Sequence, residues 1–162
     1  RWKLQQAVVG PTPVQIGGPP IWGGGSAPAS LKRAAVNFDG WFPSGPTDTA
    51  VWGAQWRKTL QHLDEAGRSR DDFTGAIYLT LSIDDDADKA NERLDAFLEN
   101  YYNIPAATLR KFQAGFGGPA EEAAAWLKAY ADEGASHIMI RFAGDHDNNL
   151  EKFAKIRSTL GW

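Results

Sequence analysis

A chain of 162 residues, 43% hydrophobic and 23% charged, can bury one ordinary core and reads most simply as a single domain. Its net charge of −3 gives no electrostatic reason to expect nucleic acid or an anionic membrane as partner, and no apolar run approaches a membrane span. The absence of cysteine excludes disulfides, thiolate chemistry and cysteine metal sites; with no signal-peptide core opening the sequence, a cytoplasmic location is expected.

Residues 1–18, with Gly10, Pro11, Pro13, Gly17 and Gly18, show no helical or strand period and read as an extended lead-in loop to a unit over 19–162. The only methionine is Met139, so Arg1 does not follow an initiator within this sequence, and the chain is expected to be a piece of something longer. Pro19-Pro20-Ile21-Trp22 is stiff and strand-forming and runs into Gly23-Gly24-Gly25-Ser26. The glycines permit positive φ and close approach of bare backbone, and Ser26 is expected to cap a helix over Ala27 to Ala35. Strand, glycine turn and helix N-terminus suit a phosphate; a turn that merely reverses the chain is the plainer alternative.

Val36 to Phe42 is the next strand candidate, ending at Pro43-Ser44-Gly45-Pro46. Thr47 or Asp48 then caps a helix whose Trp52, Trp56, Leu60 and Leu63 share one face, with Gly67 positioned to end it. Ala76 to Ile83 is apolar almost throughout, as expected of a strand covered on both faces in a parallel sheet. Asp84 to Asp86 supply a helix-capping acid, and Ala87, Ala90, Leu94, Phe97, Leu98 and Tyr101 form the buried stripe that follows. Pro105 to Phe116 reads as a shorter helix and loop. Pro119 opens a helix, with Glu121 and Glu122 in its first turn, that Gly134 ends. His137 to Phe142 is a last strand leading into Ala143-Gly144-Asp145. A final helix runs from about Asn148 to Leu160, with Leu150, Phe153 and Ile156 inside.

Strand–helix units in succession with short connections predict an α/β fold with a parallel sheet and right-handed crossovers. The loops after the strand C-termini then share one edge, where ligands bind. Gly23 to Ser26, Gly40 to Pro46, Asp84 to Asp86 and Arg141 to Asp145 are expected to converge there. Arg141 ends an apolar strand and must find an anion or water; a phosphate held bidentately and a salt bridge to Asp145 or Asp39 are the alternatives.

Four motifs in order carry a resemblance. Pro13-Val14-Gln15, then Pro19-Pro20-Ile21-Trp22 and Gly24-Gly25, resembles the P-V-Q…P-P-I-W-x-G-G signature of luciferase-like monooxygenases. Asp39-Gly40-Trp41 resembles the family's A-D-G-W strand, Gly118-Pro119-Ala120-Glu121-Glu122 its G-x-P-E-E helix start, and Gly134-Ala135-Ser136-His137 through Arg141-Phe142 its closing strand. The resemblance implies strands five to eight of a TIM-type barrel: four consecutive β/α units, a half-barrel of parallel strands. It also implies reduced flavin mononucleotide (FMN) or a deazaflavin as coenzyme. Carried over by position, the coenzyme-phosphate residues are Gly24 and Gly25, Gly40 and Trp41, and Arg141, with Gly23 and Ser26 completing the turn. Gly23 stands where the family has Ile or Val, a departure expected to loosen the turn and leave the strand end less packed. The family's N-terminal half, with the usual catalytic residues, has no counterpart here.

His62, His137 and His146 lack metal spacing, and consecutive Asp84 to Asp86 lack the alternation of a calcium loop. Trp52, Trp56 and Trp126 fit helix faces as core, whereas Trp22 and Trp41, at strand ends beside glycines, are placed to wall a flavin. No Ser-His-Asp or Cys-His set supports nucleophilic catalysis. Three readings follow: the coenzyme-binding half of a flavin- or deazaflavin-dependent oxidoreductase acting on an unspecified small molecule, a non-catalytic flavin- or phosphate-binding module, and a degenerate structural half-barrel. Open strand edges in a half-barrel predict self-association or pairing with an N-terminal half.

Overall fold

The computed structural model describes residues 3, 5–8, 10–43 and 48–162; the expected turn at Ser44 to Pro46 and the alternative cap Thr47 lie outside the described residues. In chain order the elements are β1 (Trp22–Gly23), α1 (Pro28–Asn37), β2 (Gly40–Trp41), α2 (Thr49–Glu65), β3 (Thr74–Ile83) and α3 (Ala87–Tyr102). They continue with α4 (Ala106–Leu109), β4 (Gly115–Gly118), α5 (Ala120–Asp132), β5 (His137–Phe142) and α6 (His146–Leu160). All strand pairs are parallel: β1 lies on β2, β2 on the start of β3, β4 on the end of β3, and β5 along the other side of β3. The α/β reading with a parallel sheet is thus borne out.

Strand β3 organises the sheet because its two sets of side chains are covered by different helices. Ile77, Leu79, Leu81 and Ile83 are fully buried and pack with Trp52, Trp56 and Leu63 of α2, Leu127 and Tyr130 of α5, and Ile156 of α6. This odd-numbered face is the main core. The even-numbered face carries Ala76, Tyr78, Thr80 and Ser82, in register with His137, Met139 and Arg141 of β5 and, at its far end, with Gly115 and Gly117 of β4. Helix α3 lies over that upper stretch. A Cβ on Gly117 would come within 2.9 Å of the α3 backbone at Ala90, so only glycine lets the helix seat there.

Several boundaries depart from expectation for identifiable reasons. The second strand is two residues, not seven, because α1 continues through Val36 and Asn37, and Phe38 turns its ring under β1. The stretch expected to be helix and loop contains strand β4, whose Gly-Phe-Gly-Gly sequence has almost no strand-forming side chains. The sheet therefore has five strands rather than four. Ser26 does not cap α1: the N-cap is Ala27, without a side-chain bond, and Pro28 supplies the first helical position. Asp48 caps α2 by accepting from the Val51 N–H, and Asp86 caps α3 by accepting from Asp88 and Lys89.

In α6 the inward position falls to Asn149, and Leu150 is exposed. The Asn149 side chain is fully buried and fully used. Its Oδ1 accepts from the Ile83 N–H at 2.7 Å, and its Nδ2 donates to the carbonyls of Gly144 at 2.7 Å and Asp145 at 3.0 Å. One amide thus ties the end of β3 to the loop after β5, where Gly144 and Asp145 both have positive φ. Asn149→Ala leaves the buried Ile83 N–H and the part-buried Gly144 carbonyl without their partner, whereas the Asp145 carbonyl keeps the Asn149 N–H, and is expected to lower unfolding free energy by about 2–3 kcal/mol. Urea denaturation measures it; a loss below about 0.5 kcal/mol would show the staple to be dispensable.

Candidate functional site

The C-terminal ends of β1 and β2 lie side by side, and the turn Gly24-Gly25-Ser26 rises from the first into α1. Gly24 and Gly25 are exposed and Ser26 half-buried. The N–H groups of these three residues donate to no described backbone or side-chain acceptor. Gly25 has φ +93°, and a Cβ there would meet the Ser30 Oγ at 2.9 Å, so this glycine is required twice over. Gly24 has ordinary φ and room for a Cβ, the nearest atom being the Phe42 carbonyl oxygen at 3.6 Å.

Three of the expected site residues lie beneath the turn. A Cβ on Gly23 would fall 2.5 Å from the Phe38 ring, so the departure from Ile or Val does not loosen the strand end: Phe38 fills the space. Gly40 is a glycine because the Trp22 indole lies over it, 2.7 Å from where a Cβ would stand. Trp41 is 0% exposed and cannot wall a ligand. It packs in a three-indole cluster with Trp52 at 5.7 Å and Trp56 at 6.3 Å, and Trp56 stacks in turn on Phe73. Its Nε1 donates to the Gly25 carbonyl at 2.9 Å, which fixes the turn from below. Trp22 is on the even face, edge-on to Phe42 and His137, in an open groove with Ala76 and Met139.

Arg141 is not brought to this turn. It is level with Thr80, whereas Gly23 and Trp41 are level with Gly75, and β2 and β3 intervene between β1 and β5. At ~3.3 Å per residue along a strand and ~4.8 Å between strands, the turn and Arg141 are on the order of 15–20 Å apart, too far to hold one phosphate. The alternative salt bridge is also absent among the described residues. The guanidinium instead donates to the Thr80 Oγ1 at 3.0 Å and lies 4.6–5.4 Å from the ring centres of Tyr101, Phe97, Tyr78 and Tyr102. Burial pushes the Tyr78 phenol up.

Arg33 is a cation that the sequence reading passed over. Its Nη2 donates to the Ser30 Oγ at 3.4 Å, the hydroxyl beneath Gly25, and no described carboxylate pairs with it. The signal available was helical spacing: Ser30 and Arg33 share a face of α1 that looks back toward the turn. Among the described residues no group of acidic or histidine side chains is arranged to hold a metal ion, and no helix is long and apolar enough to cross a membrane.

The sequence profile of the luciferase-like monooxygenases matches residues 1–161. The chain belongs to that family. Among solved structures, an F420-dependent secondary alcohol dehydrogenase with an F420–acetone adduct aligns at 18% identity and a TM-score of 0.71, covering 85% of this chain and 47% of that one. A long-chain alkane monooxygenase aligns at 13% identity and 0.70, covering 89% and 42%. A riboflavin lyase with modified FMN and substrate riboflavin aligns at 11% and 0.70, covering 90% and 44%. No curated protein matches the sequence significantly. The chain spans less than half the length of each of these family structures, and its β/α architecture corresponds to about half of their TIM-type fold.

At the far end of the same sheet edge, this luciferase-like chain carries an ion pair between Arg93 and Asp84 at 2.8 Å. That bond, then the Asp86 N–H, holds the Asp84 carboxyl below its ordinary value of 3.8. A carboxylate depressed in the folded state adds stability that is present above the unfolded value and fades as pH falls through the folded one. Thermal unfolding followed from pH 6 down to pH 2 is expected to show a midpoint that begins to drop near pH 4. In Asp84→Asn the drop is expected to be shallower; an identical pH profile would show that the pair does not contribute.

Proposed function

We propose that the chain is the coenzyme-phosphate end of a luciferase-like flavin- or deazaflavin-dependent oxidoreductase, and that the turn Gly24-Gly25-Ser26 is where the phosphate sits. The observation that supports this most directly is the turn itself. Its three N–H groups have no described partner, it opens onto the N-terminus of a ten-residue helix, and a buried tryptophan holds its carbonyl from below. Such N–H groups at a helix start favour an anion, and Arg33 adds the adjacent cation. The glycine at position 25 fits the same group, since a side chain there would occupy the floor of the cradle.

The roles divide accordingly. Gly24, Gly25 and Ser26 offer backbone donors; Gly23 and Gly40 let Phe38 and Trp22 pack beneath them; Trp41 orients the turn; Arg33 balances charge. When bound, a flavin-type coenzyme supplies the redox chemistry, and this half supplies its binding. FMN and a deazaflavin share the phosphate chemistry on which the turn acts, so the cradle accepts either. Turnover of a small-molecule substrate requires the residues that enclose the ring. In the cell we place the protein in the cytoplasm.

The test is titration with FMN and with riboflavin, which differ by the phosphate, followed by flavin fluorescence. FMN is expected to bind more tightly. Gly25→Val should abolish that advantage, and Arg33→Ala and Trp41→Phe should each reduce it about threefold to tenfold while hardly changing riboflavin. Equal affinity for FMN and riboflavin in the unaltered protein would overturn the assignment of the turn.

The sheet also bears on partners. β1 pairs only with β2 and β5 only with β3, so each presents an open parallel edge among the described residues. Open edges are normally covered, and we propose self-association or pairing with an N-terminal half to cover them. Sedimentation of the chain alone is expected to give a mass above that of one copy; a stably folded monomer would remove self-association.

A further inference from the structure

Helix α3 is attached to the even face of the sheet in two different ways along its length. Its N-terminal half is seated backbone to backbone, with Gly117 against Ala90 and the Asn91 Nδ2 donating to the Gly117 carbonyl at 3.0 Å. Arg93 reinforces it through Asp84, and Arg110 reaches both Asp95 and Asn91. In its C-terminal half Leu98 packs with Leu109 and Ala143, and the other contacts to the sheet are made by aromatic rings. Phe97, Tyr101 and Tyr102 surround the guanidinium of Arg141, whose fourth wall is Tyr78 of β3. Asn103 then ends the helix in a left-handed conformation.

Arg141 is a half-buried cation that faces no carboxylate among the described residues. Its Nη2 is held by Thr80, its Nη1 lies 3.4 Å from the Tyr102 hydroxyl, and its buried Nε meets no described acceptor. A cation in that setting gains most of its compensation from ring faces, and a desolvated guanidinium over tyrosine gains more than an exposed one. Strand β5 fixes the arginine by register with Thr80, so the rings come to a preset charge.

We infer that Arg141 is the positioning residue that docks the C-terminal half of α3 onto the sheet: a cation–π clamp formed by one strand residue and three helix aromatics. The inference does not depend on coenzyme binding. It separates the two halves of α3 energetically. Loss of the clamp frees Phe97 to Asn103 while Ala90 to Leu94 stay seated on β4.

Hydrogen–deuterium exchange followed by peptide mass spectrometry on the full chain tests this. Arg141→Met keeps an unbranched apolar stem and removes the guanidinium with its charge. It is expected to speed exchange over Phe97 to Asn103 about tenfold, leaving Ala90 to Leu94 and β3 unchanged. Arg141→Lys, which retains a cation, is expected to restore at least half of that protection on a logarithmic scale. Uniform acceleration of both halves, no acceleration, or Met and Lys behaving alike would overturn the clamp. Should Arg141→Met fail to fold, Tyr101→Leu, at a largely exposed position, removes one wall and leaves the arginine. The same local acceleration is then expected, and unchanged exchange over Phe97 to Asn103 overturns the proposal.

Discussion

Everything in this fold hangs on the need to cover β3 from both sides. A strand with Ile77, Leu79, Leu81 and Ile83 on one face and Tyr78, Thr80 and Ser82 on the other has no side that tolerates water along its whole length. Helices α2, α5 and α6 cover the first face in the ordinary way of an α/β sheet. The second face is covered only toward its C-terminal end, by α3, and this explains two otherwise odd features. One is a strand made almost entirely of glycine, which lets the helix backbone descend onto the sheet. The other is an arginine held by tyrosines rather than by an acid.

The lower part of that face remains open at Trp22, Phe42, His137 and Met139. Below the glycine turn the situation is reversed. The cluster of Trp41, Trp52 and Trp56 is closely packed, and the Trp41 Nε1 reaches the Gly25 carbonyl. A buried indole N–H needs an acceptor, so this aromatic cluster is coupled to exposed backbone at the edge. That coupling is how a loop of three consecutive glycines holds a defined shape, since glycine itself contributes nothing but freedom.

The order of strands and helices was legible in the sequence because the long apolar run of β3 and the 3.6-residue stripes of α2, α3 and α5 leave little choice. The family was legible from four short motifs in order, and its profile matches nearly the whole chain. Strand β4 was illegible because its residues were selected for what α3 needs above them, not for strand propensity. Leu150, expected inside, gave its place to Asn149 for a similar reason. Hydrophobic pattern favours the leucine inside, but the Ile83 N–H and the Gly144 carbonyl, at the ends of β3 and β5, required an amide.

The expected site separates into layers for a reason that periodicity cannot express. Alternation along β1 and β2 puts Gly23 and Trp41 on the helix side and Gly40 under Trp22, and only the residues past the strand end, Gly24 to Ser26, reach the surface. Register then removes Arg141 from that group, because β2 meets β3 at Thr74 and Gly75 while Arg141 meets it at Thr80. Sharing a C-terminal edge is therefore a weaker condition than sharing a ligand. In a sheet whose central strand is ten residues long, with two-residue β1 and β2 on one side and six-residue β5 on the other, the edge is a staircase, and the turn and the clamp stand on different steps. The cation next to the lower step is Arg33, bonded to the Ser30 hydroxyl beneath Gly25, and not Arg141, three strands away.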